Sequence, residues 1–150
     1  MTTRASILLV EDNEDDVFLM RRALKAAGIV NPLHIVEDGQ QAIDYLSNAG
    51  SYTNASEHPR PAVVFLDLKL PEIMGLDVLA WIRTQSYLDD VIVVVLTSSN
   101  EPSDLKQAYA RGANSYVVKP PTADQLLEMA KAFKWYWLEF NQFVEPSISP

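Results

Sequence analysis

Cysteine is absent from the 150 residues, and with it go disulfides, thiolate nucleophiles and zinc sites built on sulfur. Cations are also in short supply. The chain carries 12 Lys and Arg against 20 Asp and Glu, a formal net charge of −8, and its basic residues are scattered rather than clustered. That balance leaves no electrostatic footprint for a phosphate backbone, so direct nucleic-acid binding is not expected. Long hydrophobic runs are missing as well. The opening MTTRASILLVEDNEDD has too short an apolar run before its acids for a secretory signal, and no window reaches the length of a membrane span. The expected setting is the cytoplasm, which also discounts the glycosylation pattern at Asn54-Ala55-Ser56.

What is present suits a single globular domain with a real core, since 48% of the residues are apolar and little length remains for a second domain. Five short apolar runs recur, at Ile7–Val10, Leu33–Val36, Val63–Leu66, Val91–Leu96 and Tyr116–Val118. Between them lie segments of helical spacing, such as Val17, Met20, Leu24 and Ala27, then Leu76, Leu79 and Ile82. Strand and helix therefore alternate, which predicts an α/β fold: a doubly wound, five-stranded parallel sheet with helices on both faces. Local punctuation agrees. Asn13 is placed to cap the first helix, Pro102 suits the first turn of the fourth, and Thr122-Ala123-Asp124-Gln125 has the form of a capping box. Asn48–Pro61 reads as a long surface loop before the third strand.

In such a sheet the carboxyl ends of the strands share one edge, and ligands bind there at the switch point. The first strand is followed by Glu11 and Asp12, the third by Asp67, the fourth by Thr97 and Ser98, and the fifth by Lys119 and Pro120. Taken singly, each has an ordinary explanation. An Asp after a strand is usually a turn residue or cap, a Glu-Asp pair suits a helix N-terminus, and a lone Thr, Lys or Tyr116 needs no special role. Their joint placement, each at the end of a different strand, argues for function. Carboxylates brought together repel by roughly 3 kcal/mol for a pair about 5 Å apart at an effective dielectric near 20, so they call for a cation. An all-oxygen site that keeps waters is the preference of Mg²⁺. A metal beside Asp67, an ammonium at Lys119 and a hydroxyl at Thr97 make an acceptor site for a phosphoryl group, with Asp67 as the nucleophile.

At these residues the sequence resembles the receiver domain of two-component response regulators, from about Ser6 to Phe133. The motifs are VEDN, LDLKLP with Gly75 beyond it, LTSS and SYVVKP. The resemblance implies a flavodoxin-like (βα)₅ fold and a partner histidine kinase that donates its phosphoryl group to Asp67. The receiver itself catalyses that transfer and a slow dephosphorylation, and is a phosphoacceptor rather than an enzyme acting on a separate substrate. It further implies Asp12 and Asp67 as direct Mg²⁺ ligands, Glu11 acting through water, and the Lys69 backbone carbonyl as the third protein ligand. Lys119 and Thr97 would serve the phosphoryl oxygens, and Tyr116 would rotate inward with Thr97, reshaping the face of the fourth helix and fifth strand. Within the family, DGQQAIDYL, the insertion before the third strand, LTSSNEPSDLKQAYARGANSYVVKP and the aromatic tail are most similar to stand-alone regulators paired with bacterial phytochromes. Lys69 departs from a fixed pattern, at a position that influences phosphoryl lifetime.

Three other readings compete. A phosphatase of the haloacid dehalogenase type would also use an Asp nucleophile, but it resembles D-x-D, and Lys69 stands at the second acidic position. A flavodoxin-like cofactor carrier would have a Gly- and hydroxyl-rich first loop, whereas this one reads EDNEDD. A phosphorylation-independent receiver-like scaffold is the third. His34 and His58 have no acids beside them at a strand end and read as ordinary residues.

The tail exceeds what a receiver needs. Leu126, Ala130, Phe133, Trp137, Phe140 and Val144 step by three and four, and an unbroken helix from Thr122 to Val144 would span roughly 34 Å, more than the sheet can cover. The expected division is therefore a receiver over 1–134 and an aromatic extension over 135–150, with Phe133, Trp137, Phe140 and Phe143 forming a homodimer interface. A tail folded back over its own domain is the alternative.

Overall fold

Runs of Val, Ile and Leu pleat readily into strands, and all five apolar runs do so, with the strands of the first, third and fourth runs the most deeply buried. The computed structural model describes residues 5–144. It contains strands β1 (Ile7–Val10), β2 (Leu33–Val36), β3 (Val63–Leu66), β4 (Ile92–Thr97) and β5 (Ser115–Val118). The helices between and after them are α1 (Glu14–Ala26), α2 (Gly39–Leu46), α3 (Gly75–Thr84), α4 (Pro102–Ala110) and α5 (Ala123–Phe133). All pairings are parallel, in the order β2-β1-β3-β4-β5, so the strand order reverses between β1 and β3. β4 begins one residue later than expected because Val91 is held in a turn by the Leu88 carbonyl. It ends one residue later because Thr97 pairs with Val118.

Alternation along the strands divides the core into two layers. Leu8, Val10, Val64, Leu66, Val93 and Val95 face α2, α3 and α4, where they meet Ala42, Leu46, Val78, Leu79, Ile82 and Ala108. Ile7, Leu9, Val63, Phe65, Val94 and Leu96 face α1 and α5, against Met20, Ala23, Leu24, Ala130 and Phe133. The expected caps form. Asn13 Oδ1 accepts from the Asp16 amide at 2.9 Å, and Thr122 Oγ1 accepts from the Gln125 amide at 3.1 Å. Among the described residues no helix is long and apolar enough to cross a membrane.

The segment after α2 is more ordered than its composition suggests. Tyr52, in a 3₁₀ turn over Gly50–Tyr52, and His58 pack their rings 5.3 and 5.7 Å from that of Tyr45, whose hydroxyl donates to the Pro59 carbonyl at 3.0 Å. Asn48 adopts a left-handed backbone (φ 52°), and its side-chain amide donates to the Tyr52 and His58 carbonyls. His34 lies 5.8 Å from the same Tyr45 ring, so both histidines belong to one aromatic cluster.

The tail departs from a continuous α-helix. After Phe133 the chain turns into a π-helical segment, Lys134–Phe140, closed by a bond from the Asn141 amide to the Tyr136 carbonyl five residues back. Spacing by five rather than by three and four changes which side chains face inward. Phe133 is followed inward by Leu138, 3% exposed, and then by Phe143, which packs partly on the same layer. Phe140 is turned out and 64% exposed, as is Val144. Phe133, expected at a dimer interface, packs instead into the core of its own domain: its ring sits 4.8 Å from that of Phe65, and it is 5% exposed. The helix also stops at Phe140 rather than running on to Val144, because Asn141 is extended. Residues 1–4 of the expected receiver segment and 145–150 of the expected extension lie outside the described residues.

Candidate functional site

Sheet topology brings the strand-end residues together at the β1/β3 switch point. β1 delivers Glu11, 3% exposed, and Asp12, which is open to solvent. β3 delivers Asp67, 6% exposed, with its amide bonded to the Val10 carbonyl at 3.2 Å. Glu11, Asp12 and Asp67 can each offer one carboxylate oxygen, all within 4.8 Å of one another. From the far side β5 delivers Lys119, whose amide bonds to the Thr97 carbonyl at 2.7 Å. Thr97, at the end of β4, is fully buried.

The Lys119 ammonium is the centre of the ion pairs. Its Nζ lies 2.7 Å from Glu11 Oε1, 2.8 Å from Asp16 Oδ2 and 3.0 Å from Asp67 Oδ2. Burial alone pulls the ammonium toward deprotonation, but its hydrogen bonds to Asp16, Glu11 and Asp67 outweigh that and hold its pKa above the usual lysine range. The pKa of Glu11 is raised as well, which for a carboxylate disfavours the charged form. Burial raises its pKa most, the Lys119 bond lowers it, and the charge of Asp67 raises it again.

Local backbone fixes these groups. Glu11 Oε2 accepts from the Asn13 amide at 3.2 Å, and Asp67 Oδ1 accepts from the Lys69 amide at 3.3 Å. The Lys69 side chain itself is exposed. Gly75 opens α3 directly against the Asp67 backbone: a Cβ there would stand 2.2 Å from the Asp67 carbonyl oxygen, so any side chain must displace the segment that carries the acid. Opposite, Tyr116 donates its hydroxyl to the Ser99 carbonyl at 2.9 Å, and the Ser99 amide donates to Thr97 Oγ1 at 3.4 Å.

Two participants were not singled out from the sequence. Asp16 is the third residue of α1, and with Asn13 as the cap its position is the one whose side chain turns back toward the preceding strand. That geometry is the signal by which it could have been found. Ser99 carries no comparable signal, because its part is played largely by backbone.

Chemically, the carboxylates of Glu11, Asp16 and Asp67 converge on one ammonium, and Asp12 joins Glu11 and Asp67 in a cluster of acids. The donors are all oxygen, three of them close enough to share one ion, and this fits a hard divalent cation that retains water.

The family model of the response regulator receiver domain matches residues 7–131. The chain belongs to that family. Transfer of a phosphoryl group from a kinase and use of a divalent cation are general to such receivers. This receiver is 36% identical over 141 residues to the probable methanogenesis regulatory protein FilR2 of Methanothrix harundinacea, covering 94% of this chain and 88% of that protein. It is 38% identical over 133 residues to the response regulator Rcp1 of Synechocystis, covering 89% and 88%. The structure of the Mn²⁺-bound form of Rcp1 superposes with a TM-score of 0.84 at 35% identity, over 94% of this chain and 99% of that one. The phosphorylated cyanobacterial phytochrome response regulator RcpA gives a TM-score of 0.87 at 34% identity, over 95% and 99%. The flavodoxin-like receiver fold is thus shared along nearly the whole chain.

Proposed function

We propose that this receiver accepts a phosphoryl group on Asp67 from a histidine kinase of the phytochrome type, with Mg²⁺ as its cation. The observation that carries this reading is Asp67 Oδ2 lying 3.0 Å from the Lys119 ammonium, inside a cluster of carboxylates suited to a cation. Glu11, Asp12 and Asp67, with the Lys69 carbonyl, would hold the Mg²⁺, which supplies neutralisation of phosphoryl oxygen charge. An Asp67 carboxylate oxygen forms the new bond to phosphorus, the phosphorus–nitrogen bond of the donor breaks, and the electron pair leaves with the imidazole. Lys119 and the Thr97 hydroxyl take the equatorial oxygens. No further enzyme is required, and loss of the group to water returns the free carboxylate.

Thr97 also links the site to the surface. A hydroxyl drawn toward a phosphoryl oxygen releases the Ser99 amide, and the Ser99 carbonyl is what Tyr116 holds. Phosphorylation thereby favours a second arrangement of the β4–α4 segment and β5. The phytochrome-type donor is supported by the likeness to RcpA and Rcp1.

We also propose a homodimer through the tail. Trp135, Tyr136 and Phe140 are 65%, 59% and 64% exposed on one short segment, beside half-buried Trp137 and Phe143. Apolar surface of that kind is commonly covered by a partner.

Intact mass after incubation with Mg²⁺ and a small-molecule phosphoryl donor tests the acceptor. One added phosphoryl group, absent from Asp67→Asn, is the expected result. Labelling that survives the substitution, or none even with a phytochrome-type kinase supplied, would remove Asp67 from this role.

A further inference from the structure

An ammonium has three protons to donate, and in this structure Lys119 meets three carboxylates at 2.7, 2.8 and 3.0 Å. Its donors are fully occupied. A phosphoryl oxygen entering the site therefore gains a bond from Lys119 only if one carboxylate gives way. The three differ in what release would cost. The side chains of Glu11 and Asp67 are 4% and 8% exposed, so water cannot replace the ammonium at either, and each would depend on the bound cation alone. Asp16, at 38%, returns to water. Its backbone stays in place meanwhile, because the Asp16 amide is held by the cap residue Asn13 and not by the lysine.

We propose that Asp16 is the exchangeable partner of Lys119. It holds the ammonium over the acceptor in the resting protein and is displaced by the phosphoryl oxygen, so its carboxylate competes against the phosphorylated state. Asp16 acts through Lys119 and is a positioning residue, and the proposal rests on the reading of Asp67 as the acceptor. Its negative charge also stays beside the incoming oxygens after displacement, which adds to the competition.

The test measures affinity for trifluoroberyllate, a phosphoryl mimic, in the presence of Mg²⁺, for the full chain and for Asp16→Asn, Asp16→Glu and Asp15→Asn. Asp15 is exposed, lies in the same helical turn and carries the same charge. Asp16→Asn should tighten binding by about fivefold, the scale of one partly exposed ion pair. Asp16→Glu should return most of the way to the parent, and Asp15→Asn should change little. In the protein without added ions, the ¹⁵N ammonium resonance of Lys119 should shift in Asp16→Asn and not in Asp15→Asn, which a general loss of stability would not produce. Equal or weaker binding by Asp16→Asn, or the same gain from Asp15→Asn, would overturn the proposal. If the parent protein does not bind the mimic at all, the acceptor reading fails with it; if the parent binds and Asp16→Asn matches it, only the exchange fails.

Discussion

Tyr116 and Thr97 are joined through a single residue: the Tyr116 hydroxyl donates to the Ser99 carbonyl at 2.9 Å, while the Ser99 amide donates to Thr97 Oγ1 at 3.4 Å. Ser99 is 7% exposed, and its own hydroxyl reaches Asp104 on α4 at 2.5 Å. The end of β4, the start of α4 and the middle of β5 are thus tied at one point. Coupling between the site and this face needs no longer route than that.

Tyr116→Phe keeps the ring and removes the bond. The expected cost is about 1 kcal/mol in urea unfolding, with faster amide exchange confined to the segment around Ser99. Unchanged exchange there would mean that the tyrosine is not what holds the segment.

Arg83 is the corresponding tie at the other end of the sheet. It is half-buried and surrounded by neutral acceptors: the Gly112 carbonyl at 3.0 Å, the Val91 carbonyl at 3.0 Å, the Leu88 carbonyl at 3.4 Å and Asn114 Oδ1 at 2.8 Å. Burial lowers its pKa, and the charge of Asp89 opposes that shift. Arg83→Ala takes the guanidinium donor from the Gly112 and Val91 carbonyls, while the Leu88 carbonyl and Asn114 Oδ1 keep the Val91 and Val93 amides, and is expected to cost about 2 kcal/mol by denaturant unfolding. Arg83→Lys should recover little of it, since one ammonium cannot span the same fork of acceptors.

The cluster around Tyr45 gives a pH signature. Burial lowers the pKa of His34, and the nearby His58 adds to the effect. A histidine depressed in the folded state leaves the unfolded chain binding more protons between its folded value and the ordinary 6.5. Stability from this residue is therefore fully present above 6.5 and is lost as pH falls through the folded value. Urea midpoints compared at pH 7.5 and 5.5 should drop more for the parent than for His34→Gln, and equal drops would exclude His34 as the cause.

Much of this was legible in the chain because buried parallel strands announce themselves. β1, β2 and β3 have the bounds of their apolar runs, since each is closed by turn or charged residues, and the acceptor geometry follows once Glu11, Asp12, Asp67, Thr97 and Lys119 are put on one sheet edge. Asp16 was harder, being one acid among several in EDNEDD until the Asn13 cap fixes which of them turns back. The ordering of the Asn48–Pro61 segment was hidden by its polar composition, because Tyr52 and His58 find Tyr45 only after the chain has folded. The π-helical turn after Phe133 has no local marker: its hydrogen-bond spacing is set by where Leu138 can reach the core.

That spacing makes the tail its own test. In an α-helical tail Phe140 would face the domain, whereas here Leu138 is buried and Phe140 is exposed. Leu138→Ala should therefore cost about 2–4 kcal/mol, as for other buried leucines, while Phe140→Ala should stay within about 0.5 kcal/mol. Sedimentation separates the second role, because Phe140→Ala is expected to weaken self-association that Leu138→Ala disturbs only through folding. Reversal of the two stability effects would replace the π-helical register with an α-helical one. A protein that sediments as a monomer with or without the Phe140 ring would leave the exposed aromatics without a second copy of the chain to cover them.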